Sequence, residues 1–80
     1  MFSYNVMLEG VDNDGTGYFI TLEIAAASQA EAEEVARQKA TSMGLNIIGI
    51  EEVERKRQLG KSVQPGILQI YGKSYFGSEE

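Results

Sequence analysis

The sequence predicts an α+β fold: a single ββαββ domain whose mixed sheet carries one helix packed on one face. Three observations predict it. Two runs of period-two alternation flank a turn rich in glycine and Asx residues, the period changes to 3.6 after Ser28, and an isoleucine-rich run resumes after Gly44.

In the first run Phe2, Tyr4, Val6 and Leu8 alternate with Ser3, Asn5, Met7 and Glu9, the pattern of a strand with one strongly apolar face. Gly10 to Gly17 reads as a turn, because its glycines and Asx residues tolerate positive φ. The second run places Tyr18, Ile20, Leu22 and Ile24 on one face, with Phe19, Thr21 and Glu23 on the other. Together they predict a hairpin. Ser28-x-x-Glu31 is a capping box, in which each side chain satisfies a free backbone N–H at the start of a helix. Ala32, Val35, Ala36, Ala40 and Met43 then fall on one stripe, and Gly44 sits where a left-handed C-terminal cap belongs, so the helix is expected over residues 29–43. A third strand is expected over Leu45 to Val53 and a fourth over Ile67 to Tyr71, separated by a polar loop from Glu54 to Gly66. A crossover through the helix favours two parallel strands in one sheet. Residues 77–80 are expected to form a disordered tail.

Eighty residues make one small domain, and a chain of this size buries only about 60 to 65% of its unfolded surface. Cysteine and histidine are absent and the net charge is −5. Disulfides and thiolate metal sites are thereby excluded, and a reducing, cytoplasmic location is expected. No apolar stretch approaches the ~20 residues that span a bilayer, so no membrane partner is expected. No cofactor is implied. General acid–base and covalent catalysis need a histidine or an activated nucleophile beside a base, and the spacing of the remaining carboxylates, lysines and hydroxyls assembles no such group, so the chain is read as no enzyme.

Two local patterns carry no chemistry on inspection. Gly10 to Gly15 resembles the start of a calcium loop, but Gly10 occupies the first ligand position and Thr21 the twelfth. Gly72-Lys73-Ser74 follows Gly66 by five residues where a phosphate loop needs four, and no helix follows it. No catalytic, metal or cofactor-binding residue is therefore assigned.

An alanine stripe lets the helix approach the sheet closely while burying little apolar area. The opposite sheet face carries Met7 and Phe19, with Tyr71 and one of Ile47 or Ile48 assigned to it from the later strands and Ile47 taken as the candidate contact, and no second helix is available to cover it. Either the C-terminal residues with Tyr75 and Phe76 fold back over this face, or it is a half-polar solvated face broken by Asn5, Thr21 and Glu23, or it docks onto a second copy or another protein, the reading taken here. A basic cluster, Arg55, Lys56, Arg57 and Lys61, stands after Glu51, Glu52 and Glu54, and offers an anion or nucleic-acid contact as the alternative.

Tyr4-x-Val6-x-Leu8-Glu9, Gly17-Tyr18 and the helix residues Glu31, Ala32 and Ala36 resemble the N-terminal domain of HicB-type antitoxins. That family inserts a third strand before the helix, where here Ile24 runs almost directly into Ser28. The layout of hairpin, Ala-Ala-x-Ser helix start, glycine, isoleucine-rich strand and final hairpin also resembles small phage proteins, anti-CRISPR inhibitors among them. It is similar too to the archaeal ribosomal LX type, without most of the basic residues expected there. These resemblances cover about the first two-thirds of the chain. They imply a small binding protein, and the finer expectation set beside them is a phage-type or antitoxin-type inhibitor of a protein partner. The expected function is thus a non-catalytic, self-associating protein-interaction module.

Overall fold

The computed structural model describes residues 1–76; the expected tail over 77–80 lies outside them. The elements are β1 (Phe2–Val11), β2 (Gly17–Ala26), α1 (Gln29–Ser42), β3 (Ile47–Gln58), β4 (Gly66–Ile70) and a two-residue β5 (Ser74–Tyr75). The sheet runs in the order β3-β1-β2-β4, and β5 pairs with β2 beyond the end of β4. This is an α+β domain with one helix on one side of the sheet.

One feature of the expected sheet is corrected. Every hydrogen-bonded pair is antiparallel, so the sheet is not mixed between neighbours. The crossover does carry the chain from β2 to a strand of the same direction, but β1 lies between them. The physical reason is burial. β1 and β2 hold the most apolar alternating runs and take the two central positions, leaving the charged β3 and the short β4 at the edges.

β1 and β2 pair without a break from Phe2↔Ala26 to Val11↔Gly17. This register puts Tyr4, Val6, Leu8, Tyr18, Ile20, Leu22, Ile24 and Ala26 on the helix side, where all are buried. Gly10 stands opposite Tyr18, and a Cβ there would come within 2.6 Å of the tyrosine ring. The missing side chain is what lets a fully buried tyrosine lie across its neighbour.

Ala32, Ala36 and Ala40 form the buried stripe of α1, with Val35 partly buried beside them; Met43 is largely exposed. The capping box is present with one residue's difference. Ser28 Oγ accepts from Glu31 N–H at 3.2 Å, while the Glu31 carboxylate accepts from Ala27 N–H at 2.6 Å and not from Ser28. At the other end Leu45 N–H reaches Ala40 C=O and Gly44 N–H reaches Thr41 C=O, both at 3.0 Å, with Gly44 at φ 75°. That is a Schellman cap, and its geometry requires a residue without a Cβ penalty at position 44.

β3 departs most from expectation. It extends to Gln58, so Arg55, Lys56 and Arg57 are strand residues and not part of a loop. Its pairing with β1 shifts register three times, at Ile48, Glu51 and Lys56, each of which is an extra residue opposite β1. These bulges convert a period of two into spacings of three, so that Ile47, Ile50 and Val53 all pack against the core.

Ser3 is fully buried and its Oγ has no hydrogen-bond partner among the described residues. A buried hydroxyl without a partner carries a desolvation cost that alanine does not. Ser3→Ala is expected to leave stability unchanged or raise it by up to about 1 kcal/mol, read as the midpoint of urea unfolding; a clear loss would mean that the hydroxyl is satisfied.

Candidate functional site

The face turned away from α1 is built from the odd-numbered residues of the β1–β2 ladder. Ser3 lies beside Ala25, Asn5 beside Glu23, Met7 beside Thr21, Glu9 beside Phe19, and Val11 beside Gly17. β3 adds Arg57 beside Ser3, Glu54 beside Asn5 and Glu52 beside Met7. At the centre, Asn5, Met7, Thr21, Glu52 and Glu54 line a shallow depression of about 170 Å³.

The two ends of this face are closed. Phe76 N–H donates to Gly17 C=O at 3.0 Å, and its ring lies edge-on to Phe19 with centroids 4.7 Å apart. A Cβ on Gly17 would come within 2.5 Å of that ring. At the opposite end Ser3 and Ala25 are fully buried. There the segment 59–65 leaves from beside Met1, where Leu59 N–H donates to Met1 C=O at 2.8 Å, and returns beside Ala25, which pairs with Gly66.

Of the four residues assigned to this face, three belong to it. Met7 is half-buried at its centre, and Phe19 is half-buried beneath Phe76. Tyr71 is 42% exposed; its N–H donates to Thr21 C=O at 2.9 Å and its hydroxyl to Glu23 Oε1 at 3.5 Å. Ile47 does not belong there. Opposite Gly10 it packs against the core, while the neighbouring bulge residue Ile48 is 62% exposed. The fold-back of the C-terminal aromatics is divided between the two sides. Phe76 covers Phe19, whereas Tyr75 packs against Tyr18 with centroids 5.7 Å apart.

The basic cluster is dispersed. Arg55 lies beside Tyr4 with its guanidinium 4.8 Å from the Phe2 ring centroid, and Lys56 Nζ is 3.6 Å from Glu54. Arg57 falls beside Ser3 and Lys61 in the turn after β3, where both are exposed. Two of the four cations are thus occupied within the chain, and Arg55 and Arg57 lie on opposite faces of the strand.

Sequence reasoning missed a contact at the hairpin end. Lys73 Nζ is 3.1 Å from Asp12 Oδ1 and 4.4 Å from the centroid of Tyr18. The hydrogen bond to Asp12 raises the lysine pKa, so the lysine keeps its charge at neutral pH and gives it up as pH climbs past the ordinary lysine range. Asp14 accepts Thr16 N–H at 3.0 Å, which lowers its pKa. The carboxylates of the suspected calcium loop are therefore engaged in fastening the turn and the C-terminal segment. Lys73 was legible only as a loop residue, because Asp12 and Tyr18 lie more than fifty positions away in sequence. Alternation set Glu9 on the open face without assigning it to the site, whereas Glu52 and Glu54 were missed because the bulges obscure the phase of β3.

Comparison with protein-family models, with curated proteins and with solved structures gives no match.

Gly17→Ala is expected to displace Phe76, seen as faster amide exchange at Phe76 and loss of ring-current shifts on Phe19, with the β1–β2 ladder intact. Unchanged exchange there would contradict the close packing. In an NMR pH titration the Thr16 amide should follow Asp14 with a midpoint below the usual aspartate value of 3.8; a midpoint at or above that value would break the assignment.

Proposed function

We propose that the chain is a non-catalytic interaction module whose open sheet face binds a protein partner presenting basic and apolar groups. The observation that carries this reading is the zoned face: closed at both ends and open at a centre of Met7, Asn5 and Thr21, with Glu52, Glu54 and Glu23 around it. Charge gives the partner its chemistry. Glu9, Glu23 and Glu52 have no ion-pair partner among the described residues, so they favour lysine or arginine across an interface. Met7 supplies a flexible apolar contact of the kind that adapts to a partner's shape. Tyr71, already oriented by Glu23, adds an amphipathic ring at the margin. An inhibitor that acts by occupying its target's surface fits this description and needs no chemistry of its own. A phosphate backbone does not suit the acidic face, and the dispersed cations on β3 favour the protein reading over the nucleic-acid one.

The test is comparative. A protein captured from the source cell by the immobilised chain should, once purified, bind the wild type. It should lose at least about tenfold in affinity against Met7→Lys/Glu52→Lys, since removing central interface contacts costs on the order of 1 to 2 kcal/mol or more. Gln38→Lys on the exposed side of α1 should leave binding unchanged. Equal binding by the face variant, with its fold intact by circular dichroism, would refute this face as the site.

A further inference from the structure

The sheet edge formed by β3 points to a second contact, which adjoins the open face and shares Glu52 and Glu54 with it. β3 is twelve residues long and pairs only with β1, so one full row of its backbone N–H and C=O groups lies along an unpaired edge among the described residues. Charged residues ordinarily protect such an edge, because a second copy would bring like charges together. Here their order does the reverse. Glu51, Glu52 and Glu54 precede Arg55, Lys56 and Arg57, so an antiparallel copy presents bases where the first presents acids.

We infer that β3 pairs edge to edge with β3 of a second copy, antiparallel and centred on Glu54. A two-fold axis normal to the sheet permits only registers that keep each residue on its own face, so alternative registers differ by whole residue steps of the centre. Centred on Glu54 and counted in the ladder steps of β1, Glu52 faces Arg57 on the open-face side, the pair occurring twice, Val53 faces Arg55, and the bulge residues Glu51 and Lys56 stand beside the first pair. The one like-charge encounter is Glu54 with its own copy, and each Glu54 already has Lys56 Nζ at 3.6 Å. Moving the centre to Val53 sets Glu52 against Glu54 twice, and moving it to Arg55 sets two guanidiniums together. Between the bulges at Glu51 and Lys56, residues 52–55 keep regular pairing with β1 and supply the straight segment that an added strand needs. The product is one continuous sheet with both helices on one side and both open faces on the other.

Sedimentation velocity of the wild-type chain up to about 1 mM, where even a weak contact is populated, should show a monomer–dimer equilibrium that weakens with salt. Glu51→Lys/Glu52→Lys and Lys56→Glu/Arg57→Glu should each be monomeric alone, and an equimolar mixture of the two should form a heterodimer, since every reversed pair is again opposite in charge. A wild type that stays monomeric throughout, or reversed variants that dimerise as well as it does, or a mixture that fails to associate, would overturn the edge contact. Met7→Lys/Glu52→Lys is replaced in this assay by Met7→Lys alone, which should dimerise like the wild type, so failure of the open-face reading and failure of the edge contact are read separately.

Discussion

Ten consecutive pairs between β1 and β2, without a bulge, decide where every other element can go. A ladder of this kind has a side-chain period of two, and a slip of one residue would exchange the faces of one strand relative to the other. Either Tyr4, Val6 and Leu8 or Ile20, Leu22 and Ile24 would then leave the helix side, with Asn5 or with Thr21 and Glu23 forced under the helix in their place. The difference in buried apolar area makes the observed register the only stable one. The hairpin turn reinforces it, with Asp12 N–H bonded to Thr16 C=O at 2.8 Å and Gly15 N–H to Asp12 C=O at 2.9 Å. Once this ladder is set, the helix has one apolar surface to lie on, and the opposite face is defined by the residues left over.

The remaining strands adapt to the ladder. β3 must follow β1 over its whole length while presenting isoleucine and valine to the core, and its sequence does not alternate. Three bulges reconcile the two demands by letting extra residues, Ile48, Glu51 and Lys56, fall opposite no partner. Their cost in ladder hydrogen bonds is accepted at an edge, where fewer are made. Between the bulges, Val53 faces the core and the alternation of residues 52–55 sets Glu52 and Glu54 on the open face beside Met7 and Asn5, so the acidity of that face is a consequence of how β3 meets its apolar requirement.

Elements governed by local rules were legible in the sequence. The hairpin follows from alternation and turn residues, the helix from its capping box, alanine stripe and Gly44, and the apolar face of β1 and β2 from parity alone. Met7 and Phe19 were assigned to the open face by the same parity, and they are there. Where position depends on a neighbouring strand, the sequence was silent. Ile47 and Ile48 are chemically alike, and only the bulge opposite β1 sends the first inward and the second outward. The strand order was hidden for a related reason: the crossover fixes the direction of β3 but not whether it lands beside β2 or beyond β1. Lys73 and Phe76 find partners through the return of the chain along β2, which no short-range pattern encodes.

The small size of the domain connects these observations. Three alanines cover the helix side economically, each contributing far less than a leucine would at roughly 0.8 kcal/mol per buried methylene. The sheet's own side chains therefore supply most of the core, and additional burial has to be found on the other face. The chain finds it at the two ends: Phe76 over Phe19 and Gly17 at one, and the closed surroundings of Ser3 and Ala25 at the other. Between them the strands offer Met7, Asn5 and Thr21 framed by carboxylates, a surface polar enough to remain in water and apolar enough to gain from contact. A face closed at its ends for stability is left open in its middle, and that middle is where stability and binding make the least conflicting demands on the same residues.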